Sequence, residues 1–276
     1  MKYRNFVIIL FMITGIICIC CVTGFFSVED KQDEYSKVIR QLEYQLGYSE
    51  MYSTQNIPDT KEMSKTEHDV EIRTVYLTFD DGPSERTMEI LDILKEYDIK
   101  ATFFVVSNNG EKHSETLKRI YDEGHNIGVH SDSHSYKEIY KSVDSFLEDF
   151  ETCYRYIETT TGTAPSIFRF PGGSINNYNK DVCKDIIDEM GRRGFTYFDW
   201  NVSSEDATKN CDEDSIYNNV VKGCSRHTNS VVLMHDSRPK KDTVAALKRI
   251  IPELLEQGYT FGKLDENVTP TVFKIE

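Results

Sequence analysis

From residue 72 onward, short apolar runs alternate with stretches whose apolar residues recur every three or four positions. The runs TVYLTF (74–79), ATFFVV (101–106), NIGVH (126–130), SIFRF (166–170), FTYFDW (195–200), SVVLMHD (230–236) and YTFGKL (259–264) are rich in β-branched and aromatic residues, the composition of buried strands. Between them, ERTMEILDILKEYDI (85–99), SETLKRIYDEG (114–124), segments near 136–160 and 178–193, and TVAALKRIIPELLEQG (243–258) carry helical spacing. A βαβα alternation sustained over about 190 residues predicts an α/β fold with a parallel sheet, open or closed into a barrel.

The first 71 residues follow other patterns. Lys2 and Arg4 precede a run from Asn5 to Ser27 without charge, longer than the ~20 residues that span a bilayer. Cys20-Cys21 lies within it and no A-x-A cleavage signal follows, so residues 1–27 read as a single-pass signal-anchor in the cell membrane. Basic residues before the run and acidic ones after it place the rest of the chain outside the cell. Residues 28–71 read as a stalk or linker, its first part amphipathic through Tyr35, Val38, Ile39, Leu42 and Leu46. That stalk could also serve a dimer. The main folded domain is expected at 72–276.

Lys+Arg 32 against Asp+Glu 46 gives a net charge of −14 over 276 residues. No basic stripe is present, which argues against nucleic acid as a partner. Four cysteines lie beyond the anchor: Cys153, Cys183, Cys211 and Cys224. In an exported chain they could pair in three ways, and Cys211 with Cys224, bracketing what reads as a short polar loop, is the expected pair.

In folds of this class, functional groups gather at the C-terminal ends of strands. Here Asp80 and Asp81 end the first run in TFDDG (78–82), although Asp-Gly-Pro is also ordinary turn chemistry. GVHSDSHS (128–135) carries His130 and His134, whose i, i+4 spacing suits one face of a helical turn. Arg169 stands in FRFPGGS, Asp199 and Trp200 in FDWN, and Leu233 and His235 in LMHDS. Two histidines and a carboxylate suit catalytic Zn²⁺, and Co²⁺, Ni²⁺ or Mn²⁺ accept the same ligands.

Taken in order, TFDDG, HSDSH (130–134), RFPGG (169–173), DW (199–200) and LMH (233–235) resemble the five motifs of the polysaccharide deacetylases, the NodB-homology family also called carbohydrate esterase family 4. The resemblance covers residues 72–264 and implies a distorted (β/α) barrel of about seven strands. It implies Asp81, His130 and His134 as metal ligands, and Asp80 as the general base that takes a proton from the attacking water. Arg169 would hold Asp80, and Asp199 would orient His235, the proton donor to the leaving nitrogen. Gly172 would lend a backbone N–H to the oxyanion, while Trp200 and Leu233 line the acetyl pocket. Many relatives carry Tyr where Gly172 stands and a second Asp-Trp where this chain reads Asp206-Ala207. The wall at Gly172 is therefore expected to be open, and the glycan would meet one aromatic ring fewer beyond Trp200.

The activity implied is metal-dependent deacetylation of N-acetylglucosamine in cell-wall peptidoglycan, leaving a glycan that resists lysozyme. Chitin-like oligomers, an exopolysaccharide, muramic acid and O-acetyl substrates remain open. The reading from another class is a glycan-binding protein without catalysis. That protein would have lost Asp80, a ligand or His235, and all are present.

Overall fold

The computed structural model describes residues 72–108, 110–209 and 211–274. The anchor and stalk read at 1–27 and 28–71 lie outside the described residues, and no helix among those described is long and apolar enough to cross a membrane.

Strands β1 (Thr74–Asp80), β2 (Thr102–Val106), β3 (Asn126–Ser131), β4 (Ile167–Phe168), β5 (Thr196–Tyr197), β6 (Val202–Ser203), β7 (Asn229–His235) and β8 (Thr260–Gly262) form one sheet. Around it lie α1 (Glu85–Glu96), α2 (Gly110–Asp122), α3 (Tyr136–Ile139), α4 (Val143–Thr161), α5 (Cys183–Arg192), α6 (Glu213–Cys224) and α7 (Lys241–Glu256). The path runs β5-β4-β3-β2-β1-β7-β6, and every pairing is parallel. β8 pairs with Thr74, Val75 and Tyr76 of β1, whereas β2 takes Thr78, Phe79 and Asp80.

The sheet curls into a half-barrel, the distorted form of barrel that the motifs imply, built from eight strands where about seven were expected. Between its end strands β5 and β6 the chain itself crosses, with Phe198 N–H donating to Phe168 O at 3.0 Å and Asn201 N–H to Val231 O at 3.2 Å. A single crossing segment replaces a strand pair, so the expected run 195–200 contributes only two residues to a ladder. The helix expected near 136–160 is broken before Ser142, whose side chain accepts from Ser145 N–H and starts α4 afresh. The helix expected near 178–193 begins only at Cys183.

Strand alternation sorts the core into two layers. Val75, Leu77 and Phe79 of β1, Phe103 and Val105 of β2, and Val232 and Met234 of β7 pack against the helices. The opposite face lines the half-barrel with Phe104, Ile167, Phe198, Val231 and Leu264. Thr78, Asp80, Leu233 and His235 share the period of that inner face, and Asp80 is the register partner of both Phe104 and His235. Alternation thus sends one carboxylate and one imidazole from neighbouring strands into the same interior.

The expected Cys211–Cys224 pair is absent. All four described cysteines are free thiols, and the segment between Cys211 and Cys224 is helix α6. Twelve helical residues extend about 18 Å, beyond the Cα separation a disulfide allows.

Gly128 on β3 shows how tightly the interior is filled. A Cβ there would stand 2.6 Å from the Phe104 ring and 3.1 Å from Ile167. We expect Gly128→Ala to destabilise the protein by about 1–3 kcal/mol through overpacking, read as a lower urea midpoint. An unchanged midpoint would contradict this packing.

Candidate active site

The chain turns where β1 ends: Asp81 adopts φ 75°, so its side chain leaves the strand direction that Asp80 keeps. Asp81 Oδ1 lies 3.2 Å from His134 Nε2 and 3.6 Å from His130 Nε2. His130 is buried at the end of β3. His134 comes from the following turn with φ 53°, which corrects the expectation that the two share a helical face. Asp149 of α4 shapes that turn, accepting from Ser131 Oγ (2.5 Å), Asp132 N–H (2.9 Å) and Ser133 N–H (2.8 Å). Ser131 Oγ in turn accepts from His134 N–H at 2.8 Å.

These three residues fit a divalent cation. Asp81 Oδ1 is buried with no hydrogen-bond partner, a costly state for a carboxylate oxygen unless a cation meets it. His130 Nδ1 donates to Arg169 O at 2.9 Å, leaving the Nε2 lone pair directed toward Asp81. Burial, reinforced by the neighbouring His134, pulls the His130 pKa down to about 3, which keeps the ring neutral. One ligand atom from each residue falls within 4.8 Å of the others, as a two-histidine, one-carboxylate centre requires.

Asp80 occupies the buried side of this group. Its Oδ1 accepts from Arg169 Nη1 at 2.9 Å, and Arg169 is fully buried. The guanidinium donates further to Thr78 Oγ1 (2.6 Å), Phe198 O (2.9 Å) and Asp199 O (2.9 Å). Its underside lies 4.2 Å from the centroid of the Phe104 ring. Burial raises the Asp80 pKa above the ordinary carboxylate value, and the charge of Arg169 offsets only part of that. Asp80 is thereby a better proton acceptor than a solvated aspartate.

The partner of His235 differs from the expected one. Asp199 does not contact it: that buried carboxylate accepts from Ser174 N–H (2.8 Å), Ser174 Oγ (2.6 Å) and Phe273 N–H (2.8 Å). Its work is to anchor the 171–174 loop and the C-terminal segment. The residue that binds His235 is Asp206, whose Oδ1 lies 2.6 Å from His235 Nδ1. Asp206 is held in turn by His235 N–H (2.9 Å) and Thr243 Oγ1 (2.8 Å). It is the Asp of the Asp206-Ala207 pair, which stood out in the sequence only for lacking a Trp. Burial lowers the His235 pKa, but the hydrogen bond and charge of Asp206 outweigh it and the net shift is upward.

The remaining expected residues lie in the loop after β4, the crossing segment and β7. Gly172 and Gly173 adopt φ 76° and 82°. Gly173 N–H is taken by Phe170 O at 2.8 Å, whereas Gly172 N–H has no partner among the described residues. Tyr140 supports this loop by donating to Pro171 O at 2.8 Å. Trp200 packs edge to face on Phe273 at 4.9 Å, and Leu233 lies on β7 in register with Thr78. Asp236 carries no signal in the sequence that would single it out. Buried beneath the Asp80–Asp81 turn, it accepts from Thr87 Oγ1 at 2.5 Å, and burial followed by the charges of Asp81 and Asp80 pushes its pKa up to about 7.

The His235 ring should titrate above the ordinary histidine value in an NMR pH series. In Asp206→Asn, burial is left as the dominant influence and the pKa should fall below that value. Asp199→Asn should leave the His235 titration where it is. A shift in Asp199→Asn and none in Asp206→Asn would restore the pairing expected from the sequence.

Comparison with known proteins agrees with this geometry. Residues 67–194 match the profile of the polysaccharide deacetylases. The chain is 33% identical over 201 residues to a peptidoglycan-N-acetylglucosamine deacetylase of Bacillus cereus, covering 71% of each. A second such deacetylase of Bacillus cereus is 34% identical over 70% of this chain and 87% of its own length. The crystal structure of the catalytic domain of a peptidoglycan N-acetylglucosamine deacetylase from Eubacterium rectale superposes with a TM-score of 0.71. That domain is 36% identical, and the match covers 79% of this chain and 100% of the domain.

Proposed function

Because the chain belongs to the polysaccharide deacetylase family, we propose that it removes the acetyl group of N-acetylglucosamine in cell-wall peptidoglycan, releasing acetate and leaving glucosamine. It is a hydrolase of linear amide bonds. One observation carries the reading. Two proton-handling groups, Asp80 and His235, are register neighbours beside a triad with an unpartnered carboxylate oxygen. The relatives named for peptidoglycan support the substrate. So does the uncharged run behind Lys2 and Arg4, which would hold the domain outside the membrane and against the wall.

Asp81, His130 and His134 would hold one divalent cation, with Zn²⁺ the best fit to this donor set, to polarise the amide carbonyl and acidify a nearby water. Asp80 takes the proton of that water as its oxygen bonds to the carbonyl carbon, and Arg169 keeps the carboxylate aimed. Gly172 N–H donates to the carbonyl oxygen as negative charge builds there. The acetyl methyl sits against Trp200 and Leu233. When the C–N bond breaks, His235 gives its proton to the departing nitrogen, and Asp206 stabilises the protonated ring beforehand. The products are acetate and a free amine.

The first test measures acetate release by the full chain from purified peptidoglycan and from chitooligosaccharides. Release should stop with a chelator and return with zinc. Folded, zinc-loaded protein that frees no acetate from peptidoglycan would overturn the proposed substrate. His235→Ala should lower turnover of the amide by about 10²–10⁴-fold. It should cost an O-acetyl ester less, since an alkoxide leaves more easily than an amide anion. Equal losses on both substrates would argue against His235 as the proton donor.

A further inference from the structure

Beside the triad stand two tyrosine rings, Tyr136 and Tyr178, and neither belongs to the metal or proton machinery. Tyr136 opens α3 immediately after the turn that carries His134, and the two rings lie 5.2 Å apart. Gly172 offers no side chain to this wall, and Tyr136 occupies the space: a Cβ on Gly172 would stand 3.1 Å from the Tyr136 hydroxyl oxygen and 3.2 Å from two ring carbons. The opening expected at Gly172 is therefore filled from another element.

Tyr178, in the loop before α5, meets Tyr136 edge to face at 5.4 Å. It is 48% exposed. Its backbone is nonetheless fixed: Tyr178 N–H donates to Asn176 Oδ1 at 2.8 Å, and Asn176 Nδ2 donates to Gly173 O at 3.1 Å. The exposed ring is thus tied to the same glycine loop that faces the reacting carbonyl. His134 and Asp81 keep 31% and 27% of their side chains accessible, so the wall stands at the open side of the centre.

Aromatic side chains lose little conformational freedom on binding and offer an apolar face with a polar tip. A pyranose matches this, with C–H groups on its faces and hydroxyls at its rim. Building on the deacetylase reading, we propose that Tyr136 and Tyr178 form a sugar-binding wall. Tyr136 closes the cleft over Gly172, and Tyr178 stacks on a pyranose ring of the glycan beside the residue that loses its acetyl group. The wall selects a glycan over a small acyl compound and takes no part in bond cleavage.

The test uses the full chain and two substrates, chitotetraose and an aryl acetate that has no sugar ring. Trp200 is the only tryptophan, so its fluorescence reports chitotetraose binding without turnover. Tyr178→Ala should lower kcat/KM for chitotetraose about tenfold, mainly through KM. The chitotetraose-to-aryl-acetate ratio should shift by a similar factor, and the fluorescence titration should weaken with it. Tyr136→Ala should shift the ratio the same way, and Tyr136→Phe should restore it. An unchanged ratio and titration in Tyr178→Ala overturns the wall. If the wild type releases acetate from no glycan, the deacetylase reading fails instead, and the fluorescence titration still decides the wall.

Discussion

A single buried guanidinium organises the interior. Arg169 reaches Thr78 and Asp80 on β1, the Phe104 ring on β2, and the carbonyls of Phe198 and Asp199 beyond β5. Its own carbonyl receives the Nδ1 proton of His130 from β3. A charge fully out of water is tolerable only when it is paired and its donors are met, and removing one partner of such a pair costs about 3–5 kcal/mol. The strand ends that carry Asp80, His130 and the 171–174 loop are therefore held to one another by the same group. The half-barrel lacks a strand pair between β5 and β6, and Arg169 supplies a tie across that side.

Two adjacent aspartates at a strand end are electrostatically awkward, and backbone geometry resolves the conflict. Asp80 keeps the strand conformation and faces the buried cation of Arg169. Asp81, at φ 75°, turns away toward His130 and His134. One carboxylate is thus matched to a fixed positive charge, while the other joins the histidine pair that could hold a metal ion. His235 enters from the neighbouring strand, its pKa raised by the hydrogen bond and charge of Asp206. The proposed acid and base, His235 and Asp80, thus differ in environment, and environment sets such roles.

Much of this was legible in the sequence because period and position are local signals. Alternating runs and helical spacing pointed to the parallel α/β order, the polar residues at run ends marked Asp80, Asp81, His130, His134, Arg169 and His235 as candidates, and the family resemblance divided them into ligands and proton carriers. What stayed hidden depends on contacts between distant segments. Asp149 shapes the His134 turn from the middle of a helix, where nothing local marks it. Asp199 lies at the end of the fifth run and Asp206 shortly after it, and only the fold shows which of them reaches β7. The Cys211–Cys224 pairing failed because a polar stretch read as a loop is helix α6. Tyr136 could not be connected to Gly172 until the two elements were seen to meet.

The division of labour between Asp80 and Asp81 is most directly tested by metal content. Wild type, Asp80→Asn and Asp81→Asn would be loaded with zinc, desalted and analysed for bound metal alongside acetate release. Asp80→Asn should retain about one equivalent while losing acetate release, and Asp81→Asn should lose both. If Asp80→Asn gives up its zinc as readily as Asp81→Asn, or Asp81→Asn keeps it, the two carboxylates do not divide the work in this way.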